Sequence, residues 1–136
     1  MSGKYTISNE FEKLDFEVIH HFISNSYWAM GRSQADIEKA AKHCLNFGVY
    51  LDGAQVGYAR SITDYTTFAY LADVFILEEH QGKGLGKLVV KACMEHPNLA
   101  AVNWYLRTED AQELYAQFGF EDLPKSHFYM RKGKPR

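Results

Sequence analysis

The stretch Val74-Phe-Ile-Leu-Glu-Glu-His-Gln-Gly-Lys-Gly-Leu-Gly-Lys-Leu88 changes character twice. An apolar run with branched and aromatic residues ends at Leu77, and Gly82, Gly84 and Gly86 then alternate. Leu85, Leu88, Val89, Ala92 and Cys93 take up helical spacing, so the stretch predicts a strand, a tight turn and a helix start. Three glycines leave the turn without side chains, and its N–H groups can close on a ligand. The helix behind adds about half a positive charge at its N-terminus, which suits a phosphate or pyrophosphate. Lys83 and Lys87 would reinforce it. Two nucleotide-binding templates fail here. A P-loop needs glycine where this chain has Gln81 and Ser or Thr where it has Leu88. A dinucleotide fingerprint needs its third glycine at Lys87 and normally follows the first strand of a domain. What is left is Gln-x-x-Gly-x-Gly over 81–86, either an anion cradle or a plain strand-to-helix turn.

Upstream, 4–8 alternates as a first strand. Asp15 caps a predicted helix with Phe16, Ile19, Ile23 and Tyr27 along one side. His20 and His21 beside that stripe have no third ligand at metal spacing and read as ordinary helix residues. The segment 25–33 breaks the pattern. Ser33 and Asp36 then resemble a capping box for a second helix with Ile37, Ala40, Ala41, Cys44 and Leu45 on one face. Strands over 47–51 and 55–62 flank Asp52-Gly53, a hairpin signal, and 68–77 is apolar on both faces, as a central strand is.

Downstream, the helix after the glycines ends near His96-Pro97, and 101–108 gives a fifth strand. Glu109 or Asp110 opens a further helix, with Ala111, Leu114, Tyr115 and Phe118 on one face and Gly119 at its end. Beyond Pro124, 127–132 alternates as a last strand with Phe128 and Met130 on one face, and 121–123 is a candidate short strand.

The 136 residues suit one domain, 1–136, and 46% hydrophobic with 15% aromatic residues predicts a packed core. The N-terminus has no apolar signal core and no run is long enough to span a bilayer, so a cytoplasmic protein without a membrane partner is expected. Cys44 and Cys93 read as buried thiols, and no cysteine or histidine cluster has metal spacing. Net charge is −2, but the last ten residues hold four basic side chains and no acid. The body therefore carries eleven basic against seventeen acidic side chains, a poor match for nucleic acid and a mild preference for a cationic substrate.

The pattern of 81–86, placed after several strands, resembles the pyrophosphate loop of the GNAT superfamily of N-acetyltransferases: Arg or Gln, two residues, Gly, one residue, Gly or Ala. Ala111-x-x-Leu-Tyr-x-x-Phe-Gly-Phe120 resembles the helix and turn that close such domains. The resemblance runs from 4 to 132 and is sharpest over 71–86 and 111–120. It implies an α+β domain whose mixed, mostly antiparallel sheet splays between its fourth and fifth strands, flanked by about four helices. It also implies acetyl-CoA as co-substrate, no metal, and room for a homodimer. The pantetheine arm would bond to the backbone of Val74, Phe75 and Ile76, as an added strand would, and a fourth-strand N–H would face the thioester oxyanion. The pyrophosphate would lie on Gln81, Gly82, Lys83, Gly84, Leu85, Gly86 and Lys87. Thr108 stands where the family often has a cofactor-contacting asparagine.

Direct transfer to an amine requires a neutral nucleophile and an acid for the departing thiolate. Holding an alkyl amine of pKa near 10 unprotonated at about pH 7 costs about 4 kcal/mol. Asp73 is the only charge within 68–77. It is the candidate base, because burial disfavours its charged form, or else a carboxylate bonded to the next loop. Tyr115 matches a tyrosine the family commonly places near the CoA sulfur and is the candidate acid, while also filling an apolar helix face. Tyr27 and Trp28 either plug the core or wall an acceptor site, where Arg32 or Arg60 would clamp a carboxylate. The expected activity is acetyl transfer to the primary amine of a small molecule, amino acid or peptide. A catalytically silent CoA-binding module of the same fold is the rival.

Overall fold

The computed structural model describes residues 4–133. Five strands lie side by side in chain order: β1 Tyr5–Ser8, β2 Leu45–Leu51, β3 Ala54–Thr63, β4 Phe68–Ile76 and β5 Asn103–Leu106. The first four pair antiparallel and β5 joins β4 in parallel, giving the mixed, mostly antiparallel sheet expected. Helices α1 Phe16–Ser24 and α2 Gln34–Ala41 lie on one face, and α3 Leu85–Glu95 with the short α4 Gln112–Ala116 on the other.

Local chemistry sets these boundaries. Asp15 Oδ1 accepts from the N–H groups of Glu17 and Val18, and Ser33 Oγ from that of Asp36, so both predicted caps form. Asp52 at φ 50 and Gly53 at φ 87 make the two-residue hairpin loop. Under α3, Phe47, Val49, Val56 and Leu71 of the sheet meet Leu85, Val89, Val90 and Cys93. Under α1 and α2, Ile19, Ile23 and Ile37 close on Tyr58 and Phe75, and Phe22 stacks on Phe75 with centroids 4.3 Å apart. Each such fully buried side chain is worth about 1.5–3 kcal/mol.

Several elements differ from the sequence reading, among them α4, which begins at Gln112 and not at Glu109 or Asp110. The first helix stops at Ser24, leaving Tyr27 off its stripe and 54% exposed. The second stops at Ala41, because buried Asn46 donates to the carbonyls of Ala41 (2.8 Å) and Cys44 (3.2 Å) and accepts the Tyr58 hydroxyl; Cys44 lies in the turn and Leu45 already belongs to β2. The fifth strand covers only Asn103–Leu106 of 101–108. Neither 121–123 nor 127–132 forms a strand. Lys125 at φ 55 turns the chain into a 3-10 turn, Ser126–Phe128, its ammonium sits 5.5 Å from the Phe128 ring, and Tyr129 leans on Tyr105. Alternation on its own does not make a strand without a ladder to join.

The functional consequence sits in β4. Tyr58 pairs with Phe75 and Arg60 with Ala72, so Asp73 and Val74 together oppose Ala59. This is a β-bulge, with Asp73 at φ 55, a region aspartate tolerates better than most residues. Pairing with β5 ends at Leu71 and Leu106, so beyond the bulge β4 keeps only its β3 neighbour. The sheet splays there, between strands four and five. Among the described residues no helix is long and apolar enough to cross a membrane.

Candidate active site

The glycine turn is fastened from both sides. Gln81 Nε2 donates to the Ile76 carbonyl at 2.8 Å, tying the turn to the end of β4, and the Tyr5 hydroxyl and His80 Nδ1 share a 2.8 Å hydrogen bond from β1. Gly82 and Gly84 each have φ +79, a left-handed conformation that favours glycine. Gly84 immediately precedes α3, and the first turn holds no acid and no capping side chain. Leu88 N–H makes the first helical bond, to the Gly84 carbonyl, which leaves the N–H groups of Leu85, Gly86 and Lys87 without helical partners.

Gly86 is the informative glycine. Its φ lies outside the left-handed region, and a Cβ there would meet nothing within 4 Å. The fold therefore does not require glycine, and a helix loses about 0.5–1 kcal/mol by having one. Close approach from outside explains it. Orphan N–H groups, a helix N-terminus, Lys83 and Lys87, and open space over three glycines fit a pyrophosphate.

The splay offers a second set of backbone groups. Leu77 N–H donates to the Val56 carbonyl at 2.8 Å, and strand alternation then turns the N–H and C=O of Phe75 toward Tyr58. The Val74 carbonyl and Ile76 N–H point the other way, into the gap. Phe75, expected to bond the cofactor through its backbone, is instead committed to β3, with its ring in the core under α1. The Ile76 carbonyl is already taken by Gln81.

Beside the bulge lies a cavity of about 210 Å³. Tyr27, Trp28, Arg60, Asp73, Val74 and Tyr115 all line it, although they come from four separate parts of the chain. Asp73, 8% exposed, is not the isolated charge the sequence suggested. Its Oδ2 accepts from Arg60 Nε (2.9 Å) and Arg32 Nη1 (3.2 Å), and its Oδ1 from Trp28 Nε1 (3.0 Å). To take a proton from an amine it would have to give up one of these donors. Arg32 stands behind the wall, on Asp73. Burial opposes the Arg60 charge, but the Asp73 carboxylate and the Cys44 sulfur outweigh it and the guanidinium pKa is raised.

Tyr115 is 9% exposed, with its ring edge-on to Phe120. Burial, and then nearby Cys93, Tyr27 and Asp110, push its hydroxyl up to about 12, so it keeps its proton at neutral pH. Thr108 braces the turn ahead of α4: its hydroxyl accepts from the N–H groups of Asp110 (3.4 Å) and Ala111 (3.0 Å), and the helix itself begins at Gln112 with no side-chain cap. Sequence reasoning used Glu109 and Asp110 only as a helix start, yet both line the cavity. Their position just beyond the carboxyl end of a parallel strand, where open sheets bind ligands, was the available signal.

The profile of the acetyltransferase (GNAT) domain family matches residues 42–122. A candidate acetyltransferase of Gibberella zeae is 32% identical over 145 residues, covering 88% of this chain and 81% of that protein. The crystal structure of a candidate GNAT-family acetyltransferase from Xanthomonas campestris pv. campestris superposes with a TM-score of 0.94 at 39% identity, over 99% of this chain and 96% of that one. A ribosomal-protein alanine N-acetyltransferase of Escherichia coli shares the fold, with a TM-score of 0.71 at 20% identity over 88% of this chain and 79% of that one. The splayed sheet, the glycine turn at the head of α3 and these matches lead to one conclusion: the chain belongs to the GNAT family of acetyltransferases.

Proposed function

We propose that the protein is an acetyl-CoA-dependent N-acetyltransferase that passes the acetyl group directly to a primary amine. The observation that carries this reading is the continuity of β4, whose Val74 walls the cavity with Tyr115 and whose end, at Ile76, leads through Leu77 and the 3-10 turn Glu78–His80 into the glycine turn. A ligand with a long arm and a pyrophosphate fits that run, with its acyl end at Tyr115. Bound acetyl-CoA would supply an activated thioester and a thiolate leaving group.

The chain's own residues do the rest. The N–H groups of Leu85, Gly86 and Lys87, with Lys83 and the Lys87 ammonium, hold the phosphates, and the Val74 carbonyl and Ile76 N–H pair with amides of the arm. Gln81 acts by fixing the turn to Ile76. Tyr115 O–H lies where a departing sulfur can take its proton, and its high pKa keeps that proton in place until it is needed. Asp73 serves as a positioning residue, holding Trp28, Arg32 and Arg60 in one arrangement. The amine's own proton leaves at the rim, past Glu109 and Asp110. The test is thiol release from acetyl-CoA across a panel of primary amines. Turnover with at least one amine is expected, and CoA binding without turnover on any amine would mark a silent binding module instead.

A further inference from the structure

We propose that the acceptor is a small amine bearing a carboxylate on the same short skeleton, an amino acid in the broad sense. Its carboxylate would lie against Arg60, with Arg32 behind it on Asp73, and its amine toward Asp110 and Tyr115. This inference rests on the N-acetyltransferase reading and names the substrate class of the same cavity.

Arg60 and Asp73 line the cavity and Arg32 meets Asp73 from behind, so two guanidiniums stand against one carboxylate at this wall. The side chains of Arg60, Arg32 and Asp73 are only 12%, 22% and 4% exposed, so one positive charge in a largely desolvated place goes unanswered within the cluster. A buried charge without a counter-charge is costly, and an anionic group on the ligand removes that cost. Donors are available to receive it. Arg60 uses Nε on Asp73 and Nη1 on Cys44 Sγ at 3.4 Å, a weak acceptor, and Arg32 uses Nη1 on Asp73. Nη2 of Arg60, which lines the cavity, has no acceptor among the described residues, and a guanidinium suits a carboxylate.

The other end has the opposite balance. Arg107, Glu109 and Asp110 are exposed at the rim, two acids against one base. Asp110 and Tyr115 line the same cavity, and the acid helps to raise the Tyr115 hydroxyl pKa. The cavity is thus bipolar: surplus positive charge inside and surplus negative charge at the mouth, beside the proposed acid. A zwitterion answers both ends. A plain alkylamine leaves the guanidiniums unanswered, and a polyamine drives a cation into them. The volume of about 210 Å³ is below the roughly 300–1,000 Å³ of sites for drug-sized ligands, which favours a short skeleton. Net charge over the whole body, which had suggested a cationic substrate, misses this local separation.

The experiment uses the full chain, acetyl-CoA and matched pairs: β-alanine against propylamine, 4-aminobutyrate against butylamine, and glycine against glycinamide. The expected result is a kcat/KM about 10- to 100-fold higher for the carboxylated member of at least one pair, the span of one charge-assisted hydrogen bond. That ratio should fall toward parity in Arg60→Gln. Because Arg60→Gln removes a partner from a buried carboxylate and can misfold, the same ratio is measured in Arg32→Gln, whose side chain is more exposed. Neutral amines reacting as well as or better than their carboxylated partners overturns the proposal and leaves the N-acetyltransferase reading standing. A carboxylate preference that survives both substitutions overturns the assignment to these arginines. Tight CoA binding with no amine acetylated overturns both readings together.

Discussion

At the head of α3 the protein presents backbone, and at the bulge of β4, a few residues upstream, it presents side chains. The turn is made of Gly82, Gly84 and Gly86 with the orphan N–H groups of a helix start; φ +79 calls for glycine at the first two, and the third leaves open space beside those N–H groups. The cavity wall is made of Asp73, Arg60 and Trp28, backed by Arg32, and these side chains hold one another through their bonds to Asp73. A backbone site is set by local φ and ψ and serves any member of a family with the same cofactor. A side-chain site is set by distant partners and can be rebuilt for a new acceptor without disturbing the first.

The comparison is broken most severely at Asp73. Asp73→Ala leaves two guanidiniums and an indole N–H without their acceptor, and is expected to lower stability by about 3–5 kcal/mol in denaturant unfolding. A loss under about 1 kcal/mol would mean the arginines find water instead. Gly86→Val makes the opposite cut. It should leave the melting temperature unchanged or slightly higher, since glycine is the poorer helix former, while CoA affinity in calorimetry falls at least about 100-fold as two or more charge-assisted bonds are blocked. Full affinity in a folded Gly86→Val protein would remove the phosphates from this turn.

Tyr115→Phe sharpens the division between binding and chemistry. Turnover should fall about 10- to 1000-fold with CoA affinity intact. Because burial holds the Tyr115 proton up to about 12, the ratio of parent to variant rates should stay flat from pH 7 to 10. The same shift has a stability sign. Tyr50, Tyr115 and Cys93 are all raised by burial to about 12 from ordinary values of 10.0, 10.0 and 9.0, so the unfolded chain releases these protons first. Their contribution is complete below about pH 9 and is lost as pH rises through 12, which an unfolding series from pH 8 to 11 will show. The smallest effect is expected for Trp28→Phe, which deletes one hydrogen bond to Asp73 worth about 1 kcal/mol. A raised acceptor KM with unchanged CoA binding places the indole at the acceptor, whereas a lowered melting temperature alone returns it to packing.

Legibility in the sequence followed the same division. The glycine turn, the Asp52-Gly53 hairpin and the left-handed Gly119 at φ 91 are local patterns, each readable where it stood, whereas the closing helix is shorter than its apolar spacing suggested. The environment of Asp73 was not, because its partners lie 41, 45 and 13 residues away: Arg32 and Trp28 arrive with the segment between the first two helices, and Arg60 with the pairing of β3 and β4. The end of the second helix was hidden for the same reason: Asn46 needs Tyr58 from another strand to hold it over the last carbonyls. The alternation of 127–132 was genuine but led to no strand, since a turn at Lys125 and the contact of Tyr129 with Tyr105 set its path.

The splay of β4 also writes itself into isotope labelling. Leu77 N–H is tied to the Val56 carbonyl and Phe75 N–H is directed at Tyr58, whereas Ile76 N–H, between them, opens toward the gap. In deuterated water, three consecutive amides at the end of β4, Phe75, Ile76 and Leu77, should therefore exchange slow, fast and slow. Addition of CoA should slow the middle one, giving a residue-level reading of where the arm lies before any acceptor is known.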